Sequence, residues 1–397
     1  MKGKSLIGQK NKAAGKIVSG FNASVVRFLI KSNVLLFAFK RTGNPVRGLK
    51  TLQDIRESRR NIQGSREARK YFKSEGRYFF SENIPGWPSS AFNVFIKNEI
   101  DRISAVNIKH PLSTVIFAIT SRCRLGCKHC YEWDNLSGQD ALSFDDLGLI
   151  MRKLKDYGIS HIQLSGGEPL ERFDDLISLI RNHHKGVDFW LLTSGFGLTS
   201  EKALRLREAG LTGADISLDH WDENEHNNSR NNPEAFHWAK EAVKNCLSAG
   251  IAVSLSLCAL RSFVSKVNLE KFALLAKEWG AGFIRILEPM ETGRFWGKDV
   301  SLRREHIEII RSFFMEMNSS DEFLSYPLVT FPGYHQRIVG CQGAGNRYFY
   351  IDPKGNIHAC PFCRKSAGKA TEDDIEDVVK VLKITGCQRF MDNPVSR

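Results

Sequence analysis

The sequence predicts an α/β protein built on a parallel sheet, and three observations predict it. From about residue 111 to 290, short apolar or β-branched runs alternate with helix-like segments in six repeats. The runs read as strands buried on both faces, as parallel strands are. Several of the helix-like segments close on Gly, the residue favoured just past a helix C-terminus. An open wound sheet and a partial barrel both fit this pattern. In either, a ligand site belongs at the C-terminal ends of the strands.

In chain order, residues 1–110 come first as a basic, mainly helical extension. It holds an amphipathic helix around 22–40, a charged helix around 51–73, a loop reading IPGWPSSAF and a helix around 90–104. The strands of the 111–290 unit are VIFAIT (115–120), IQLSG (162–166), FWLLTSG (189–195), ADISLD (214–219), AVSLSLC (252–258) and FIRILEP (283–289). Between them run FDDLGLIMRKLKDYG, FDDLISLIRNHH, SEKALRLREAG, PEAFHWAKEAVKNCLSAG and NLEKFALLAKEWG, with Ser143 and Ser200 placed as N-caps. Residues 291–330 read as a helical connector with one helix over 302–317. From 331 to 397 follows a Gly-, aromatic- and Cys-rich module, in which RYFYIDPKGNIHAC forms a hairpin turning at Asp352–Gly355.

Composition narrows the function classes. Hydrophobic residues make up 42% of the 397, enough for a sizeable core. The net charge of +13 is uneven: residues 1–75 carry 18 of the 57 Lys and Arg but 4 of the 44 Asp and Glu. The arm is thus basic and the body neutral. Nine clustered cysteines are too few for a disulfide scaffold. No secretory signal is read, and Arg27 and Lys31 interrupt the longest apolar stretch, Ala23 to Phe39, so a cytoplasmic protein is expected.

Chemistry concentrates in CRLGCKHCY, where Cys123, Cys127 and Cys130 follow the first strand of the repeat. Soft thiolates bind zinc or iron–sulfur clusters. Three of them satisfy three irons of a 4Fe–4S cube and leave the fourth open to a ligand. A structural zinc knuckle needs a fourth ligand, for which His129 is the nearby candidate. After the second strand stands GGEP, Gly166, Gly167, Glu168 and Pro169, where glycines let backbone approach a ligand and Glu168 adds an anionic acceptor.

A CxxxCxxC loop after the first strand of a six-fold βα repeat, followed one interval later by GGEP, resembles the radical S-adenosylmethionine superfamily. The resemblance spans roughly residues 111–290 and implies a partial (βα)6 barrel. It implies that Cys123, Cys127 and Cys130 hold a 4Fe–4S cluster and that GGEP contacts the methionyl amino group of S-adenosylmethionine. Thr193 and Ser194 then fall in the ribose region, Ser217 of SLDH is a further cofactor contact, and His129 stands where an aromatic lies beside the adenine. His226 and Arg230 echo an H-D…R pattern with Asn227 in place of Asp, and surface loop positions are expected for both. Asp219 and Glu288, at strand ends, suit substrate binding, proton transfer or rim pairing. The implied chemistry is reductive cleavage of the cofactor, with an external one-electron reductant of flavodoxin or ferredoxin type, and hydrogen abstraction by a 5′-deoxyadenosyl radical.

Cys341, Cys360, Cys363 and Cys387 form a second group. Thirteen residues separate Cys341 from Gly355 and four separate Gly355 from Cys360, similar to the C-x(9–15)-G-x4-C signature of SPASM and twitch extensions. That resemblance implies one auxiliary 4Fe–4S cluster; four thiolates also suit zinc. Cys246 is expected in the core, as is Cys258 at the end of the fifth strand.

The stretch 17–41, beside the basic arm, suits an anionic membrane surface on the inner face, a helix packed on the barrel with its cations outward, or, least of the three, nucleic acid. SPASM-type relatives favour a peptide or protein substrate, and the arm favours a lipid-linked one. Rival readings are an RNA-modifying radical enzyme and a non-enzymatic metal-binding scaffold. The ordered GGEP, TSG and SLD motifs oppose the scaffold.

Overall fold

The computed structural model describes residues 15–63, 68–103 and 112–385. The extension comprises β1 (Lys16–Ser19), α1 (Gly20–Thr42), α2 (Pro45–Gln63), β2 (Lys70–Ser74), β3 (Arg77–Phe79) and α3 (Ser90–Ile103). The repeat unit runs β4 (Thr114–Ala118), α4 (Phe144–Tyr157), β5 (His161–Ser165), α5 (Phe173–His183), β6 (Asp188–Thr193), α6 (Ser200–Ala209), β7 (Leu211–Ser217), α7 (Glu223–Arg230), α8 (Ala235–Ser248), β8 (Ala252–Cys258), α9 (Lys266–Glu278) and β9 (Phe283–Leu287). Then come α10 (Arg304–Ser319), β10 (Leu328–Thr330), α11 (Pro332–Val339), β11 (Tyr348–Ile351), β12 (Asn356–His358), β13 (Ser366–Lys369) and α12 (Ile375–Thr385).

Local sequence explains the helices. α4 opens on a capping box, in which Ser143 Oγ accepts from Asp146 N at 3.1 Å and Asp146 Oδ2 accepts from Ser143 N at 2.9 Å. It closes on Gly158 at φ +97°. Leu147, Ile150, Met151 and Leu154 share one face, are fully buried against the sheet, and contribute about 1.5–3 kcal/mol each. For α6 the cap is Thr199, one residue before the expected Ser200, because its hydroxyl accepts from Lys202 N at 3.3 Å.

The six expected strands are present and form one parallel set, but the sheet gains one strand beyond β9 and three beyond β4. Its order is β10-β9-β8-β7-β6-β5-β4-β11-β12-β13. β10 adds parallel to β9, inside what the sequence reads as a helical connector. β11 adds parallel to β4, with Phe349 opposite Val115, so the expected hairpin continues the barrel sheet instead of standing apart. Its turn is as expected: Gly355 N donates to Asp352 O at 3.0 Å, with Gly355 at φ +85°.

The extension departs furthest from expectation. The charged helix ends at Gln63, and residues 70–79 form the β2–β3 hairpin, which pairs with β1. Its alternating aromatics explain the change, since Phe72 and Phe79 enter the barrel at the N-terminal strand ends. There they pack edge-to-face with Phe283 at 5.5 Å and Trp190 at 6.4 Å. The extension also grips both edges of the open barrel. Lys70 Nζ donates to the carbonyls of Phe323, Tyr326 and Pro327 at 2.9, 2.9 and 3.0 Å, just before β10. Glu99 of α3 accepts from Arg347 at 2.6 Å, just before β11.

Candidate active site

The three-cysteine loop follows β4 and is stitched to the loop after β5. Gly167 N donates to Thr120 O and Glu168 N to Arg122 O, both at 2.8 Å. The glycines are needed here. Gly166 sits at φ +147°, and a Cβ on Gly167 would lie 2.3 Å from the Arg122 carbonyl oxygen and 2.9 Å from Cys123 Cβ. Gly167→Ala is therefore expected to cost about 1–3 kcal/mol and to lower the iron retained by reconstituted protein. Gly138→Ala, with nothing within 4 Å of its Cβ, should do neither. Denaturant unfolding and iron determination on the two variants test this.

Glu168 is buried, and four donors fill its carboxylate. Oε1 accepts from Thr193 Oγ1 at 2.7 Å and Leu170 N at 3.2 Å; Oε2 accepts from Ser194 N at 2.9 Å and Ser194 Oγ at 2.5 Å. A carboxylate offers about four acceptor sites, so Glu168 holds the TSG turn in place and has no site left for a fifth donor. Burial pushes its pKa up, opposed by the hydrogen bonds from Ser194 and Thr193. Ser217, at the end of β7, lines the same cavity, as do Gly166, Gly167, Thr193 and Ser194.

His226 and Arg230 are not surface residues. Both are buried on α7, which folds back over the cysteine loop. His226 Nδ1 accepts from Asp219 N at 3.0 Å, and Arg230 Nε lies 2.6 Å from Asp219 Oδ2. Arg230 Nη1 also donates to Cys127 Sγ at 3.7 Å. Against the cost of burial, Arg230, His129 and His226 hold Asp219 below the usual carboxylate range. Asp219 is thus the anchor of a fixed cation beside the cysteines. His129 places Nε2 3.5 Å from Asp219 and Nδ1 3.4 Å from Ser229, so the ring faces the Asp219–Arg230 pair.

Burial and neighbouring thiols push Cys123 and Cys130 up to about 12, so both are protonated until a metal displaces the proton. The segment after β9, which sequence reasoning overlooked, closes over the loop. Arg294 N donates to Cys130 O at 3.0 Å and Arg294 Nη1 to Gly126 O at 2.7 Å, while its guanidinium stacks 3.9 Å over Trp133.

One cavity of 2440 Å³ joins these groups. Its wall also includes Cys341, Cys360 and Cys363, which lie near the half-buried Tyr348 and, after desolvation of the phenol itself, push it upward. Cys360 and Cys363 have their sulfurs 3.4 Å apart. Cys387 lies outside the described residues. Tyr131, next to Cys130, bridges the two cysteine groups by packing on Phe362 at 5.8 Å and Tyr350 at 6.3 Å. Cys258 is half-buried on the cavity wall instead of in the core, because β8 ends there; Cys246 is buried in α8 as expected. Glu288 pairs with Arg337 of α11 at 2.6 and 2.7 Å, a rim contact. Deeper in, Arg285 Nη1 donates to Gln163 Oε1 at 3.2 Å and to Asp215 Oδ2 at 3.1 Å. Glu82, from the loop after β3, lies 3.9 Å from Arg285 Nε. The extension therefore reaches the barrel interior.

A parallel partial barrel with three thiols on the loop after one strand and a glycine-bearing loop after the next defines an α/β barrel protein with a thiol-rich site at its C-terminal strand ends. Residues 117–277, which hold most of the barrel, match the radical SAM superfamily. The chain is 29% identical over 255 residues to the mycofactocin maturase MftC of Mycolicibacterium smegmatis, spanning 62% of this chain and 63% of the maturase. To the GTP 3′,8-cyclase of Campylobacter jejuni it is 30% identical over 199 residues, spanning 48% of this chain and 60% of the cyclase. The match thus covers less than two thirds of either relative. Among solved structures, Streptococcus suis SuiB bound to the precursor peptide SuiA shares the fold. The TM-score is 0.56 at 14% identity, over 84% of this chain and 77% of SuiB.

The family matched by residues 117–277 implies a 4Fe–4S cluster and S-adenosylmethionine, and the residues present fit both. The three loop cysteines are free thiols on the cavity wall, Arg230 supplies a counter-charge at Cys127, and Gly166 and Gly167 let the loop after β5 close directly onto the backbone of the cysteine loop. Among the described residues no three Cys, His, Asp or Glu side chains converge on a single-ion site.

Proposed function

We propose that the chain is a radical S-adenosylmethionine enzyme whose cavity positions a peptide or protein for hydrogen abstraction. One observation carries the reading: the cysteine loop, the GGEP loop and the Asp219–Arg230 pair meet on one cavity at the C-terminal strand ends. When bound at Cys123, Cys127 and Cys130, a reduced cluster supplies the electron that splits the sulfonium into methionine and a 5′-deoxyadenosyl radical. The protein's own share is positional. Arg230 balances thiolate charge at Cys127. Glu168 fixes the Thr193–Ser194 turn, and Gly166 and Gly167 admit the cofactor's methionyl end. α7 and the 292–296 segment cover the loop and exclude water.

A peptide substrate is supported by the relatives, since mycofactocin maturase is a maturase by name and SuiB was solved with a precursor peptide. An auxiliary cluster at Cys341, Cys360, Cys363 and Cys387 and an external one-electron reductant complete the proposal. A lipid-linked substrate is the second reading, favoured by the exposed apolar face of α1. Anaerobic reconstitution with iron and sulfide, followed by dithionite and S-adenosylmethionine, tests the core of the proposal. Release of 5′-deoxyadenosine and methionine in equal amounts is expected, and release of neither would overturn it.

A further inference from the structure

The cavity does not end at the barrel wall. Among the described residues β10 and β11 are not paired with each other, so the sheet stays open along one side. There α1, α2 and α3 supply the missing wall. This stretch is apolar, with Ile30, Val34, Leu52 and Ile55, and it carries the cations Arg27 and Lys31 of α1. The whole cavity far exceeds the roughly 300–1,000 Å³ of a small-ligand pocket. It has room for the cofactor and a long second molecule together.

α1 is two-sided. Ala23, Val26, Val34 and Ala38 are buried against the rest of the extension. On the outer side Phe21, Val25, Phe28, Leu29 and Leu36 are 82, 40, 67, 44 and 57% exposed, and Val46 and Leu49 of α2 continue the patch at 75 and 49%. By length and composition α1 could cross a bilayer, yet a helix packed along one side lies flat. Exposed Lys40, Arg47 and Lys50 flank the patch, and residues 20–63 hold nine Lys and Arg against two acidic residues. An apolar strip rimmed by cations is the chemistry of a helix lying in an anionic lipid interface.

Resting on the second reading above, we propose that α1 and α2 seat the protein on an anionic lipid surface, and that the open side of the barrel behind them takes an amphipathic anionic lipid as substrate. Its apolar chain lies along Ile30, Val34, Leu52 and Ile55, and its acidic group faces Arg27 and Lys31. The two faces of one helix then serve delivery and binding.

The test uses the full chain. Wild type should co-sediment with phosphatidylglycerol vesicles but not with phosphatidylcholine vesicles, and lose binding as salt rises. The pair Phe28→Asp and Leu36→Asp, both on the outer side, should weaken vesicle binding at least about tenfold with melting temperature and iron content unchanged. A dansyl-labelled long-chain fatty acid should bind wild type. Arg27→Gln with Lys31→Gln should weaken that binding about tenfold, while an uncharged dansyl-labelled alcohol is insensitive to the change. No preference for anionic vesicles, an unaffected Asp pair, or vesicle binding without probe binding each overturns the proposal. Salt-sensitive retention on RNA without vesicle binding overturns it as well. So does an α1-mediated dimer that the Asp pair dissociates without affecting vesicles. Release of 5′-deoxyadenosine is read in parallel: if it persists while docking fails, the enzyme reading stands alone, and if it is missing while docking holds, only that reading falls.

Discussion

Protein carrying Cys123→Ala, Cys127→Ala and Cys130→Ala together is expected to release no 5′-deoxyadenosine and to hold about four irons fewer than wild type. The size of the effect follows from the loop's geometry. Its backbone is fixed by Gly167, Glu168 and Arg294, so removing the thiols deletes ligands without dismantling the cradle. Circular dichroism and denaturant unfolding should therefore show a folded variant, in contrast to Gly167→Ala, which strains the backbone itself. Cofactor cleavage surviving in the triple variant would move the cluster elsewhere, and the remaining cysteine group would be the next place to look.

Replacing Cys360 and Cys363 by Ala should have the complementary outcome. Wild type is expected to bind about eight irons, two cubes of four. The double variant should fall to about four and still release 5′-deoxyadenosine, while losing turnover of its substrate. The two residues stand on the cavity wall with sulfurs 3.4 Å apart, and the adjacent Phe362 and Arg364 reach the end of the first loop at Tyr131. Stoichiometric zinc beside four irons in the wild type would instead assign the C-terminal group to a structural zinc site.

The parts of this design that were legible in the sequence are those set by local pattern. The run AVSLSLC became β8 residue for residue, and Ser143 and Gly158 bound α4 as their chemistry requires. CxxxCxxC and GGEP were legible because their spacing and order resemble those of a known superfamily. Their contact, Gly167 against Arg122 and Cys123, is long-range, and only the parallel pairing of β4 with β5 creates it. His226 and Arg230 look like loop residues because α7 is short and almost wholly polar. Its burial comes from docking over the cysteine loop, where Asp219 neutralises Arg230. β10 has three residues, too few for a periodicity signal. The basic run before Tyr71 extends a helical pattern that the aromatic alternation of Phe72 and Phe79 overrides once the barrel offers them Trp190 and Phe283.

The extension grips both ends of the parallel strand set, β10 and β11, and that grip bears on the order of assembly. During synthesis residues 15–103 leave the ribosome first, yet Lys70 docks on carbonyls at 323–327 and Glu99 on Arg347. Most of the chain must be made before its beginning has a place to bind. The side of the barrel that α1, α2 and α3 wall in can therefore close only after both of its flanking strands exist.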